Sequence, residues 1–210
     1  MAGSSAVLAD ASTLSRLDRG LEHIEKAMAF VSGLGAFGLM FLAVVSVGGR
    51  EFFNEPLRGY VDWIEMAMPL IAIFGISYVQ RSGGHIRMDI VVGNLRGRAL
   101  WAAELVTTFA ILVLMVALVW GSWAHFQRSF DPGAPLWSRD STIDLGLPLW
   151  PAKLIVPVAF SVMSLRCVLQ LWGYGRAFVL GLDRPVAVPL VQTVAEQAAA
   201  EAAHIQGHDE

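Results

Sequence analysis

Asp62 and Glu65 stand on one face of a helix within a stretch that is otherwise apolar. The chemistry they offer is ion pairing, and Arg50 lies shortly before them. If the flanking apolar stretches form a hairpin, Arg50, Asp62 and Glu65 meet at the same membrane interface. Two readings of this group stand side by side. An Arg50–Glu65 pair would fix the hairpin or meet a partner subunit, or each side chain would reach water among the lipid headgroups. Arg166 lies deeper in its own apolar run, where a charge costs about 2.5–3.5 kcal/mol on insertion scales. It is expected to extend to the cytoplasmic surface, the alternative being a carbonyl or an acid in a neighbouring helix. His85, Arg87 and Asp89 form a third charged group, in a basic hairpin followed by Ile90, Val91, Val92 and Leu95. That pattern predicts a short interfacial helix with its charges at the headgroups.

None of these groups has the composition of a catalytic centre. A lone loop histidine reads as a hydrogen-bonded turn residue, because no second His, Cys or acid cluster stands at metal-ligand spacing. His23, His125, His204 and His208 do not pair within the apolar stretches, which removes a haem held by facing axial histidines. No nucleophile–base motif, phosphate loop or zinc motif is present, so neither an enzyme nor a cofactor is expected. The formal net charge of −3 is weak and evenly mixed and gives no reason to invoke nucleic acid. The single cysteine, Cys167, is expected to pack as a small apolar residue.

The elements that must position these residues are membrane helices. Hydrophobic residues make up 55% of the chain and charged residues only 16%, below the roughly 25% of a soluble domain. The charges are clustered, leaving four apolar stretches at 27–47, 60–79, 102–123 and 154–172. Each is close to the roughly 20 residues that cross a hydrocarbon core of about 30 Å. Tyr60, Trp63, Trp101, Trp123, Trp150 and Trp172 mark their ends as interfacial aromatics do. Pro157 falls in a first helical turn, but Pro69 lies within the second stretch and frees the carbonyl of Glu65, so a kink is expected there.

The fold class is thus all-α, with four transmembrane helices after an N-terminal amphipathic helix. Residues 1–26 form a cytoplasmic N-terminal segment, 27–175 the four-helix domain and 176–210 a cytoplasmic tail. Acids within the first 26 residues and the length of the first stretch argue for an uncleaved span over a signal peptide. In the N-terminal segment Leu14, Leu17, Leu21, Ile24 and Met28 recur at steps of three and four, while Asp18, Arg19, Glu22 and Lys26 fill the other faces. This predicts a helix along the membrane surface or against a partner, with a short coiled-coil seam as the alternative. The side holding both termini collects Arg16, Arg19, Lys26, Arg81, Arg87, Arg96, Arg98, Arg176 and Arg184. The other side has Arg50, Arg58, Arg128, Arg139 and Lys153. The excess points to cytoplasmic termini. The connection 128–153 is long and reads as a docking surface for an accessory protein or an inserted loop.

The order of short motifs between Arg50 and Asp89 resembles the small permease subunit of tripartite ATP-independent periplasmic (TRAP) transporters. Arg50 and Phe53-Asn54 follow the first span, Trp63 and Glu65 open the second, and Gly75 comes late in it. His85, Ile86, Met88 and Asp89 match the family's His-hydrophobic-x-hydrophobic-Asp loop. Leu145-Gly146-Leu147-Pro148 with Trp150 is similar to its Leu-x-x-Pro entry into the fourth span, and Arg166 to a basic residue late in that span. One departure is Met66, where the family often has a second acid. The resemblance covers roughly residues 27 to 175. It implies a subunit in the bacterial inner membrane that scaffolds a large permease subunit, which takes up an organic acid with sodium from a periplasmic substrate-binding protein. The lipid bilayer is its other partner. The residue reading agrees that the chain lacks repeats and broken helices of its own. An independent oligomeric four-span carrier or channel is the competing reading.

Overall fold

The computed structural model describes residues 13–55, 57–81, 98–181 and 188. Helix α1 runs over Thr13–Phe53, α2 over Tyr60–Phe74 and α3 over Ile76–Arg81; α4 spans Arg98–Ser129 and α5 spans Trp150–Leu180. A single 3-10 turn, Pro135–Trp137, lies in the connection between α4 and α5. With α2 and α3 taken together as Tyr60–Arg81, four helices among the described residues are long and apolar enough to cross a membrane.

Their surfaces agree with lipid as the solvent. On α1, Phe30, Leu34, Phe37, Phe41 and Val44 are each about 60–70% exposed and recur at three- and four-residue steps. An apolar stripe of that size is not left bare in water. The most apolar window of α1 is only 6% buried, against 39% for α5, so α5 contributes most to the interior.

Helix α1 corrects two expectations. The N-terminal segment is not a separate helix: it continues without a break into the first span as one element of 41 residues. At 1.5 Å per residue this is about twice the thickness of a hydrocarbon core. Nor does its apolar stripe act as one face. Leu14, Leu21 and Met28 are buried, whereas Leu17 and Ile24 are about half exposed. Asp18, expected on a polar face, is buried with the first set, and so is Glu25. At its other end α1 stops at Asn54, which takes a left-handed φ of 55°, a conformation Asn adopts more readily than most residues.

The interruption in the second span falls at Gly75 and not at Pro69, around which α2 remains helical. The backbone N–H of Gly75 turns to the carbonyl of Ile73, so the Ile71 carbonyl loses its helical donor. The Ser32 hydroxyl donates to it instead, at 3.0 Å. Proline alone removes one hydrogen bond; here a glycine and a foreign hydroxyl complete the break.

The described residues fall into two compact units: 13–22, 78–81, 98–112, 165–181 and 188 in the first, and 23–55, 57–77 and 113–164 in the second. The first packs Trp101, Tyr174, Ala177 and Val188 together, with the Trp101 and Tyr174 rings stacked at 6.1 Å. In the second, a Cβ on Gly35 would lie 2.9 Å from Leu70 Cδ2. The glycine therefore permits a close helix–helix approach, as small residues do in membranes.

Candidate functional site

In the first unit the site is a buried ionic cluster. Arg166 lies about 24 Å along α5 at 1.5 Å per residue, and it is fully buried. It does not extend to the surface. Its guanidinium donates to one oxygen of Asp18 on α1, and Arg81 at the end of α3 donates to the other at 3.0 Å. Arg81 also donates to Glu22 at 3.0 Å. Both arginines thus meet carboxylates, as charges in a low-dielectric interior require. Beside this cluster the Gln80 amide donates to the Gln170 side-chain carbonyl at 2.9 Å, and Gln170 returns a bond to the Gln80 backbone carbonyl at 3.3 Å. Cys167, fully buried, packs as an apolar residue as expected.

Asp18 was not a candidate by sequence. A partial signal existed: Leu14, Asp18, Leu21, Glu25 and Met28 share one helical face at steps of four and three. Reading Leu17 and Ile24 as the stripe put the acids outside. Only the arginines from distant helices turn that face inward.

In the second unit Asp62 ties the start of α2 to the long connection. It is buried and accepts the backbone N–H of Leu145 at 2.6 Å and of Asp144 at 3.5 Å. Thr142 adds a side-chain hydrogen bond and accepts the N–H of Leu147 at 2.9 Å. Leu145 lies directly over Gly59, where a Cβ would come within 2.3 Å of its Cγ. Gly59 also has a φ of 70°, so the position needs glycine for both space and backbone. The Leu145–Pro148 motif is therefore a clamp on the second span. Glu65 and Arg50, by contrast, are exposed and not paired with each other among the described residues, and Asp62 ties the second span to the α4–α5 connection, not to α1. Glu25, also in this unit and not anticipated, accepts the Ser77 hydroxyl at 2.5 Å. His85, Arg87 and Asp89 lie outside the described residues.

The rest of the connection is built, not loose. The Asp131 carboxylate accepts the Gly133 N–H at 3.0 Å and Arg139 Nε at 2.9 Å, and Lys153 donates to Asp140 at 2.5 Å. Leu136 and Trp137 have left-handed φ values of 54° and 57°, uncommon for such side chains. The Trp150 indole N–H holds the Leu136 carbonyl at 3.1 Å. The Asp131 carboxyl is held below its ordinary value of 3.8 by the Gly133 N–H and then by Arg139. Asp140 is held below 3.8 by Lys153 and then by Ser129.

No group of three or more metal-ligating side chains occurs among the described residues. Long apolar helices, interior charges that neutralise one another and a clamped connection define a multi-pass membrane protein whose polar groups serve its own packing. Its sequence matches the family profile of tripartite ATP-independent periplasmic transporters, DctQ component, over residues 39–175, and the chain belongs to that family. No curated protein matches the chain.

Proposed function

We propose that this protein is the small membrane subunit that braces the large permease subunit of a TRAP-type transporter in the bacterial inner membrane. The large subunit carries an organic acid inward with sodium, receiving it from a periplasmic substrate-binding protein, while the small subunit enlarges the membrane-fixed frame. The observation that carries this reading is the ionic cluster. Arg166, the charge set deepest in the chain's apolar runs, is spent on Asp18, and Asp18 also on Arg81. Charges that close on one another staple helices together; a carrier's site must leave them open to solute and ion. Membership of a transporter component family supports the same conclusion.

Co-expression with the large subunit and affinity capture in mild detergent test the reading. A stable complex is expected, together with no uptake by liposomes containing this chain alone. Sodium-driven uptake by such liposomes would establish the independent carrier instead.

A further inference from the structure

A cavity of about 390 Å³ opens in the second unit, lined by residues of α2, α4 and the start of α5. Its volume is within the range of about 300–1,000 Å³ usual for small-molecule sites. Its ionisable groups lie at one end, beside the apolar Leu149 and Ala152, and the one polar side chain deeper in, Ser122, turns its hydroxyl back to the Leu118 and Val119 carbonyls. Glu65 lies near the start of α2, His125 near the end of α4 and Lys153 near the start of α5, so all three belong to the turns next to the clamped connection. One turn further into the helices the lining becomes Pro69, Gly121 and Val156. A charged rim above an apolar floor matches a lipid headgroup above its acyl chains.

The charges specify the headgroup. Glu65 is exposed and has no ion-pair partner among the described residues, although it stands in a membrane-crossing helix; that placement calls for a cation supplied from outside. On the facing walls, His125 and Lys153 offer donors to an anion. Lys153 already donates to Asp140, yet an ammonium has three N–H groups and can donate again.

We propose that this cavity is a binding site for a phospholipid whose headgroup carries a primary ammonium beside its phosphate. Its ammonium is held by Glu65, its phosphate by His125 and Lys153, and its chains by the floor at Pro69 and Val156. A quaternary ammonium has no N–H to give Glu65, and a glycerol headgroup has no cation. The inference rests on the cavity and not on the subunit role.

Native mass spectrometry of the full chain tests it, with equal amounts of phosphatidylethanolamine, phosphatidylcholine and phosphatidylglycerol supplied in detergent. Phosphatidylethanolamine is expected to be retained over the other two by about tenfold or more, the worth of one charge-assisted hydrogen bond. The exposed, near-isosteric Glu65→Gln change should erase that preference while leaving the thermal unfolding midpoint unchanged. Lys153→Met should reduce retention of all three lipids. Equal retention by the wild type would overturn the proposal, as would a preference that survives Glu65→Gln. Expulsion of the lipid when the chain assembles with the large subunit would also overturn it, because the same face would then be a protein contact.

Discussion

Asp18 shows how one side chain sets the worth of another. Arg166 is entirely shielded from solvent, and its neutrality depends on a carboxylate that also serves Arg81. Removing one partner of a buried ion pair costs roughly 3–5 kcal/mol, because the other is left uncompensated. Asp18→Ala should therefore lower the thermal unfolding midpoint in detergent sharply. Adding Arg166→Met to that variant should recover most of the loss, because a buried apolar side chain needs no counter-charge. A single variant as stable as the wild type would remove the cluster from its structural role. Gly59 makes a second, independent case. Gly59→Ala places a methyl against Leu145 and imposes a left-handed φ on a residue with a Cβ, at a cost of roughly 1–3 kcal/mol. Leu145→Ala in the same chain relieves the contact but not the backbone, so recovery measured by thermal unfolding should be partial.

At the scale of elements, the connection between α4 and α5 is held by short polar contacts that a proton can break. Asp131 and Asp140 are both depressed below 3.8. A carboxyl with a lowered folded value lends stability that is complete above its unfolded value and lost as pH falls through the folded one. The connection should thus keep its structure from neutral pH down to about 3.8 and loosen only below it. Tryptophan emission follows this, since Trp137 and Trp150 contact each other here. Asp131→Asn with Asp140→Asn should shift emission already at pH 7, and a wild-type transition well above pH 4 would contradict the assignment. The same scale explains the interrupted second span. Pro69 is visible in the sequence, but the break needs Gly75 and the Ser32 hydroxyl on another helix, which no local pattern reveals. The end of α1 is a similar case: the apolar stretch closes at residue 47, yet the helix runs on to Phe53 and stops only at the left-handed Asn54.

For the molecule as a whole, the excess of arginine and lysine on one side of the spans is the ground on which we propose that both termini face the cytoplasm. Single cysteines on a Cys167→Ala background test this. Ile143→Cys, at a position 95% exposed, should react with an impermeant reagent added from outside, and Ser82→Cys should not; the reverse pattern would invert the topology. Number of spans and membrane residence were legible in the sequence, because each follows from the length and composition of contiguous runs. The family was legible for a related reason: its motifs are short but keep their order along the chain. What tertiary structure decided is where each charge goes. Glu65 and Asp62 share a helix face in the sequence, yet one is exposed while the other is buried under Leu145. Asp18 reads as a surface acid until Arg81 and Arg166 arrive from other helices. A charge in an apolar run must find its opposite, and periodicity along one helix carries no record of which distant helix supplies it.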